Sequence, residues 1–379
     1  MKNVAVLGVG QFRFGAYWDS LTLADMAREA GLEALKDAGL SFKDMQAAFV
    51  GQLFHPALTG VRVMKEFGLT GLPIQRIENA SATGSAAFRE ACWAVESGRH
   101  DVVMVVGFDK MTSVIGAAPD PANLEDAILP AGFFAMWATR RMHERGTKPE
   151  HLAMVAAKNW NQGRFNPKAH RIAKEEITVD KVLNSGMVAW PLTKMMSCPI
   201  GDGAAVVIVG RPELAKKLHP GRPVVKVIAS DLQSERYERG HLFMGPVVGP
   251  ARMSVDTSNE VYRQAGLGPK DIDLVQVHDA FVIEEIEYYE LLGFCKPGEA
   301  EGCIERGDFA LGGRVPFSTD GGLISRGHPG GPTGLAQIWE TTLQLRGEAG
   351  KRQVANARTG MCHMMGGGSV CCIHILQRG

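Results

Sequence analysis

The feature that most constrains this chain is an internal repeat. Ala38-Gly39-Leu40, with Lys43-Asp44 two residues on, returns as Ala265-Gly266-Leu267 with Lys270-Asp271. A strand-like run follows each copy, at 47–50 and at 274–277. Further along, Ala82-Thr83-Gly84 opens a helical pattern over 86–97, and Pro332-Thr333-Gly334 opens another over 335–345. A strand is expected after each of these helices, at 102–106 and 353–357. The matches keep the same order and context, which implies a duplicated α/β half. Duplication brings pseudo-two-fold symmetry, with the paired helix starts meeting near the middle. Further strands are expected at 3–8, 72–77, 204–209, 223–228 and 370–376, and helices at 20–40 and 251–265. Apolar strands alternating with helices predict a mainly parallel sheet covered on both faces.

Residues 112–196 break this rhythm. They carry Pro119, Pro121 and Pro130, three tryptophans (Trp137, Trp160, Trp190) and two helical patterns, 132–145 and 149–164. They read as an inserted helical lobe, and long insertions often cover a site. Three units are therefore expected: 1–111 with 197–215, the lobe at 112–196, and 222–379. Phe133 and Trp137 on the lobe could line an apolar pocket or fill the lobe's own core.

Lys+Arg and Asp+Glu both number 41. That balance offers no electrostatic case for nucleic acid or an anionic membrane surface. The longest apolar run, 127–142, is interrupted by Pro130 and ends in Arg140-Arg141, so no membrane span is expected. The start MKNVAVLGVG runs straight into a strand and does not resemble a signal peptide. Seven scattered cysteines without metal-type spacing predict free thiols, no metal centre and a reducing, cytoplasmic setting.

The chemistry gathers at four places. Ser81 lies in Glu78-Asn79-Ala80-Ser81-Ala82-Thr83-Gly84-Ser85, between a strand and a helix. It is either an N-cap or a reactive group where a helix N-terminus favours negative charge. His278, in Val277-His278-Asp279-Ala280-Phe281, ends a strand and could donate, accept or simply pack. His328 stands on the rigid loop Ser325-Arg326-Gly327-His328-Pro329-Gly330-Gly331, at the duplicate position to the Ser81 turn. Core packing gives no reason for histidine there, which favours function. Finally, Cys362-His363-Met364-Met365-Gly366-Gly367-Gly368 ends in glycines that either turn tightly or present N–H groups to an oxyanion.

These segments, with Cys198-Pro199-Ile200-Gly201-Asp202-Gly203-Ala204-Ala205, resemble the thiolase superfamily over essentially the whole chain. The closest likeness is to the branch of sterol-carrier-protein-2, or lipid-transfer-protein, thiolases. The resemblance implies two similar βαβαβαββ halves in α-β-α-β-α layers, an inserted loop domain and a homodimer. It implies acyl-CoA substrates, coenzyme A as co-substrate and no covalently bound cofactor. By the same resemblance, position 81 accepts the acyl group and His328 activates it. His278 holds the thioester oxygen of the nucleophilic substrate. Gly366 or Gly367, with the N–H of residue 81, holds the other oxyanion. Related short chains pair with a small zinc-ribbon/OB-fold protein, so such a partner is expected here.

The chain departs from the family at two points. Position 81 is serine, where the family has cysteine. A hydroxyl is far less acidic than a thiol, so it needs His328 as a general base in direct contact. The family's second cysteine falls at Ala280 in the lipid-transfer branch, or at Met364 in ordinary thiolases. His363 is a candidate substitute, and Met364 a candidate pocket wall. Three readings follow: a thiolase-type acyltransferase with serine in place of the nucleophilic cysteine, a retro-aldol lyase on a CoA ester using His278 and His328 as acid and base, and a non-catalytic acyl-CoA or lipid binder.

Overall fold

The computed structural model describes residues 1, 3–18, 20–113, 130–237, 241–242, 245–246 and 252–379. The early part of the expected lobe, with Pro119 and Pro121, lies outside the described residues, as does Ala251.

The first part of the chain runs β1 (Ala5–Gln11), α1 (Leu23–Ala38), β2 (Ala48–Gly51), α2 (Thr59–Met64), β3 (Ile74–Ile77), α3 (Thr83–Glu96) and β4 (Val102–Lys110). The lobe supplies α4 (Pro130–Arg145), α5 (Pro149–Gly163), α6 (Val179–Leu183) and the hairpin β5 (Met187–Ala189) with β6 (Leu192–Thr193). Strand β7 (Asp202–Gly210) returns to the first half, and α7 (Pro212–Leu218) leads to β8 (Val225–Ser234). A small hairpin, β9 (His241–Leu242) with β10 (Gly245–Pro246), precedes α8 (Met253–Ala265). The second half continues with β11 (Leu274–Gln276), α9 (Val282–Leu291), α10 (Ala300–Glu305), α11 (Gly322–Arg326), α12 (Gly330–Arg346), β12 (Thr359–Gly366) and β13 (Val370–Arg378).

Nine strands form one mixed sheet in the order β11-β12-β13-β8-β1-β7-β4-β2-β3. The two halves join through β1 and β8, which share only the pairs Ala5↔Lys226 and Val6↔Val225. Strand periodicity explains the layers. Along β4, Val103 and Val105 face a core shared with Phe88 of α3 and Leu335 and Ile338 of α12. Val102, Met104 and Val106 face the opposite core, shared with Met26, Ala27 and Ala30 of α1. Strand β7 alternates the same way, with Val207 inward and Ile208 outward. In the second half α8 packs on β8 and β13, while α3 and α12 touch strands of both halves. The order is therefore helix, sheet, paired helices, sheet, helix.

The sequence echo is a structural echo. Gly39 and Gly266 both end helices in the left-handed region, with φ of 67° and 66°, where a side chain is disfavoured. The two central helices cross at the second echo. A Cβ on Gly84 would strike the Gly331 carbonyl, and one on Gly334 would strike Ser85. Glycine at these positions lets the starts of α3 and α12 approach closely.

Three expectations need correction. The sheet is not mainly parallel: β2–β3, β2–β4 and β11–β12 pair parallel, but β1, β7, β8 and β13 fill its middle and pair antiparallel with their neighbours. Residues 353–357 are not a strand. They turn through Asn356 at φ 56°, with Val354 N–H donating to the Gln344 side chain. The strand that follows is β12, so Cys362 to Met365 lie within the sheet and not on a loop. Among the described residues, those of the lobe form no core of their own. Leu152, Val155 and Ala156 of α5 join one apolar cluster with Ile286 and Tyr289 of α9 and Ile304 of α10. Arg141, its side chain 3% exposed, clasps the lobe to this half through Glu287, Glu290 and Glu301 at 3.1, 2.5 and 2.9 Å.

Candidate active site

The turn before α3 is tightly held. Ala80 sits at φ 47°, its N–H donating to Glu78 at 2.6 Å, and Asn79 N–H donates to Thr83 Oγ1 at 2.8 Å. The N-cap of α3 is Ala82, so Ser81 is not the helix cap. Its hydroxyl points instead to His328, with Oγ 3.1 Å from Nε2. The partners join residues 247 apart in the chain.

The network around His328 sets its tautomer. Thr333 Oγ1 lies 2.5 Å from the Pro329 carbonyl, which can only accept, so the Thr333 proton goes there. His328 Nδ1, 2.9 Å from the same oxygen, must then donate. The Nε2 lone pair is left facing Ser81, the arrangement a general base requires. Burial pushes the His328 pKa well below its usual value, helped by the nearby His278 and Arg326. The ring is thus held neutral. Its loop is anchored from the first half by Asp109, which accepts from Gly331 N–H at 2.5 Å and Leu53 N–H at 3.0 Å.

His278 follows β11 and is 6% exposed. Its Nδ1 lies 2.8 Å from Glu284 Oε1. That carboxylate also accepts from Phe281 N–H at 3.0 Å and Tyr288 O–H at 3.4 Å. With Glu284 acting as acceptor on both oxygens, His278 donates from Nδ1. Its Nε2 is buried with no hydrogen-bond partner. The His278 and His328 rings stand nearly perpendicular, their centroids 5.1 Å apart. Asp279 turns away from them. It accepts from Leu323 N–H at 2.7 Å and Asn159 Nδ2 at 2.9 Å, and burial with the nearby Glu285 raises its pKa.

Ser81, His278 and His328 open onto one cavity of about 390 Å³. Its floor adds Cys198, Ala280, Glu284, Met365, Gly367 and Gly368. Its outer wall is apolar: Met111, Phe133, Phe134, Trp137, Ile200 and Phe281. Phe134 stacks on Phe281 with centroids 4.7 Å apart, and Phe133 and Trp137 close the cluster at 5.4 Å. Of the residues singled out from sequence, Ser81, His278, His328, Gly367, Phe133 and Trp137 come together here.

His363, Met364 and Gly366 do not line the cavity. His363 is buried against Ser254, 3.1 Å from its hydroxyl, and against the Tyr288 ring, and burial lowers its pKa to about 3. Strand alternation sends Met364 to the other face of β12, against Ala82 and Cys372. Gly366 packs on the Asn79 carbonyl. Sequence reasoning missed Glu284, Cys198, Met365 and Gly368. Glu284 was legible in principle: it follows His278 by six residues, at the start of a helix that went unpredicted. Cys198 lies beside the histidine loop, its N–H donating to Ala280 O at 2.8 Å, and burial raises its thiol to about 12. Among the described residues no group of three or more His, Cys, Asp or Glu side chains could hold a metal ion, and no helix is long and apolar enough to cross a membrane.

Comparison with known proteins decides the family. Residues 5–213 match "Thiolase, N-terminal domain", and residues 246–378 match "Thiolase C-terminal domain-like". The chain belongs to the thiolase family. It is 39% identical over 397 residues to an acetyl-CoA acetyltransferase of Methanothermobacter thermautotrophicus, covering 100% of both chains. The benzoylsuccinyl-CoA thiolase subunit BbsB of Thauera aromatica is 35% identical, with 97% of this chain and 95% of that one covered. Sterol carrier protein 2 of Gallus gallus is 36% identical, with 97% of this chain and 71% of that one covered. The solved Ltp2-ChsH2(DUF35) aldolase shares the fold, with a TM-score of 0.87 at 24% identity over 99% of this chain and 98% of that one. By these relatives the chain is a thiolase-type acyltransferase.

Proposed function

We propose that this thiolase cleaves a 3-ketoacyl-CoA with coenzyme A, or runs the reverse Claisen condensation, with Ser81 carrying the acyl group. The observation behind this reading is the 3.1 Å contact between Ser81 Oγ and a neutral His328 Nε2 lone pair. His328 takes the hydroxyl proton as Ser81 attacks the acyl carbonyl. The developing oxyanion meets the N-terminal end of α3 and the Gly367–Gly368 turn, where N–H groups and the helix dipole favour negative charge. Serine in place of cysteine makes the acyl-enzyme an oxygen ester, which slows the second step. The stacked ring wall suits a bulky apolar acyl group, aromatic ones included.

Two partner readings accompany this one. In the homodimer reading a second copy would lie against the sheet edge at β3, beside Trp93 at 52% exposure. A small zinc-ribbon/OB-fold subunit would help hold coenzyme A, whose phosphates call for cations: no Lys or Arg is among the described residues lining the cavity. The relative BbsB is itself named a subunit. A reducing, cytoplasmic setting suits the seven free cysteines. Full activity of the isolated chain would remove the need for a partner.

The test is mass spectrometry after incubation with a 3-ketoacyl-CoA. An acyl adduct on Ser81, its loss in Ser81→Ala and faster thiolysis in Ser81→Cys are the expected results. Carbon–carbon cleavage that survives in Ser81→Ala replaces acyl transfer by retro-aldol chemistry at the two histidines. Binding of acyl-CoA without turnover in either the native chain or Ser81→Cys leaves only a binding protein.

A further inference from the structure

A thiolase-type condensation needs a second base, one that removes a proton from the α-carbon of the attacking thioester. Neither position where the family places its second cysteine supplies one here. Residue 280 is alanine, and Met364 faces the opposite side of β12. His363 is turned away to Ser254 and Tyr288. The cavity still holds one unsatisfied polar atom beside the nucleophile pair: Nε2 of His278.

We propose that His278, oriented by Glu284, is the base that moves the α-carbon proton. The Nδ1–H···Oε1 contact at 2.8 Å ties one ring nitrogen to Glu284 and turns the other, the partnerless Nε2, to the cavity. The carboxylate is held in turn by Phe281 N–H and Tyr288 O–H, and it stabilises the imidazolium that forms. Glu284 is a positioning residue.

The step balances without a further reactant. His278 Nε2 takes the proton from C2 of the second thioester, and the C–H electron pair becomes the enolate. C2 then attacks the acyl–Ser81 carbonyl, the new carbon–carbon bond forms and the ester C–O bond breaks. The Ser81 oxygen leaves with a proton that His328 delivers from water, and His278 releases to water the proton it took from C2, so the balance closes. Thiolysis runs the same transfers backwards.

The inference rests on the thiolase reading but is tested apart from acyl transfer, by exchange of C2 hydrogens of acetyl-CoA with D₂O. Enolate formation needs the base and not the nucleophile, so Ser81→Ala is expected to lose transfer and keep exchange. His278→Asn is expected to lower exchange by about a hundredfold or more, the typical worth of a positioned base, while calorimetry shows acetyl-CoA still bound. Glu284→Gln should lower exchange with binding kept, and Glu284→Asp should restore part of it. Exchange at the native rate in His278→Asn, or in Glu284→Gln, overturns the proposal. So does loss of exchange in Cys198→Ser with retention in His278→Asn, which moves the base to the thiol. Exchange without acyl transfer in the native chain fails the thiolase reading and leaves the base assigned.

Discussion

At the residue scale the site is governed by which nitrogen of each histidine carries a proton. Thr333 decides this for His328, so Thr333→Val frees the ring to rotate and re-tautomerise. Misplacing a reacting group costs about 10²-fold, and acyl-enzyme formation measured by rapid quench should fall by that order. The lowered His328 pKa gives a pH prediction. An ordinary histidine is about three-quarters protonated at pH 6. His328 stays neutral there, because the folded value lies well below the usual one. The rate of acyl-enzyme formation should therefore stay level from pH 8 to pH 6, and fall only as pH drops through the lowered value. A half-maximal rate near pH 6.5 would show that burial does not control this group. Cys198 makes the complementary case. With its thiol raised to about 12, it should react with iodoacetamide at pH 8 roughly 10³-fold more slowly than an exposed cysteine. Peptide mapping of the folded and urea-unfolded protein checks this.

At the scale of elements, the crossing of α3 and α12 carries the geometry. The Gly84 Cβ position faces a backbone carbonyl that no side-chain rotation can move. Gly84→Ala should cost about 1–3 kcal/mol or more by overpacking, seen as a lower urea midpoint, and should loosen the Ser81–His328 contact. The lobe depends on a different device. Arg141→Met leaves Glu287, Glu290 and Glu301 near one another without their shared cation. Breaking a buried pair in this way costs about 3–5 kcal/mol, and limited proteolysis should then cut first in the lobe. These elements also mark what could be read from sequence. Apolar alternation in β4 and β7 and the glycine stops at 39 and 266 were legible, since each follows from local chemistry. The strand expected at 353–357 was not, because side-chain bonds from Gln344 and Gln353 bend that segment. The facing of His363 and Met364 was hidden for a related reason. Which side of β12 each takes depends on pairing with β13, not on the residues themselves. Glu284 escaped notice because α9 buries acidic residues, Glu284 and Glu285, a residue type that is ordinarily exposed.

At the scale of the whole molecule, duplication puts the two reacting groups at equivalent addresses in the two halves. Symmetry was readable, and so was the meeting of the helix starts. The merging of the lobe with the second half was not, because it is set by long-range packing of α5 on α9 and α10. One consequence concerns the order of events in time. Ser81 and His328 are separated by 247 residues, so the catalytic pair closes one of the longest loops the chain contains. Such contacts come late, after each half has collapsed locally. During synthesis, a ribosome-bound chain that ends before residue 328 has a nucleophile with no base. On dilution from urea, helical circular dichroism should recover ahead of acyl-enzyme formation, with a lag that lengthens in Gly84→Ala. Simultaneous recovery of both signals would mean that the halves do not fold before they dock. Activity is thus a readout of the final docking step, and a sensitive one, because a partly folded chain has nothing to contribute to it.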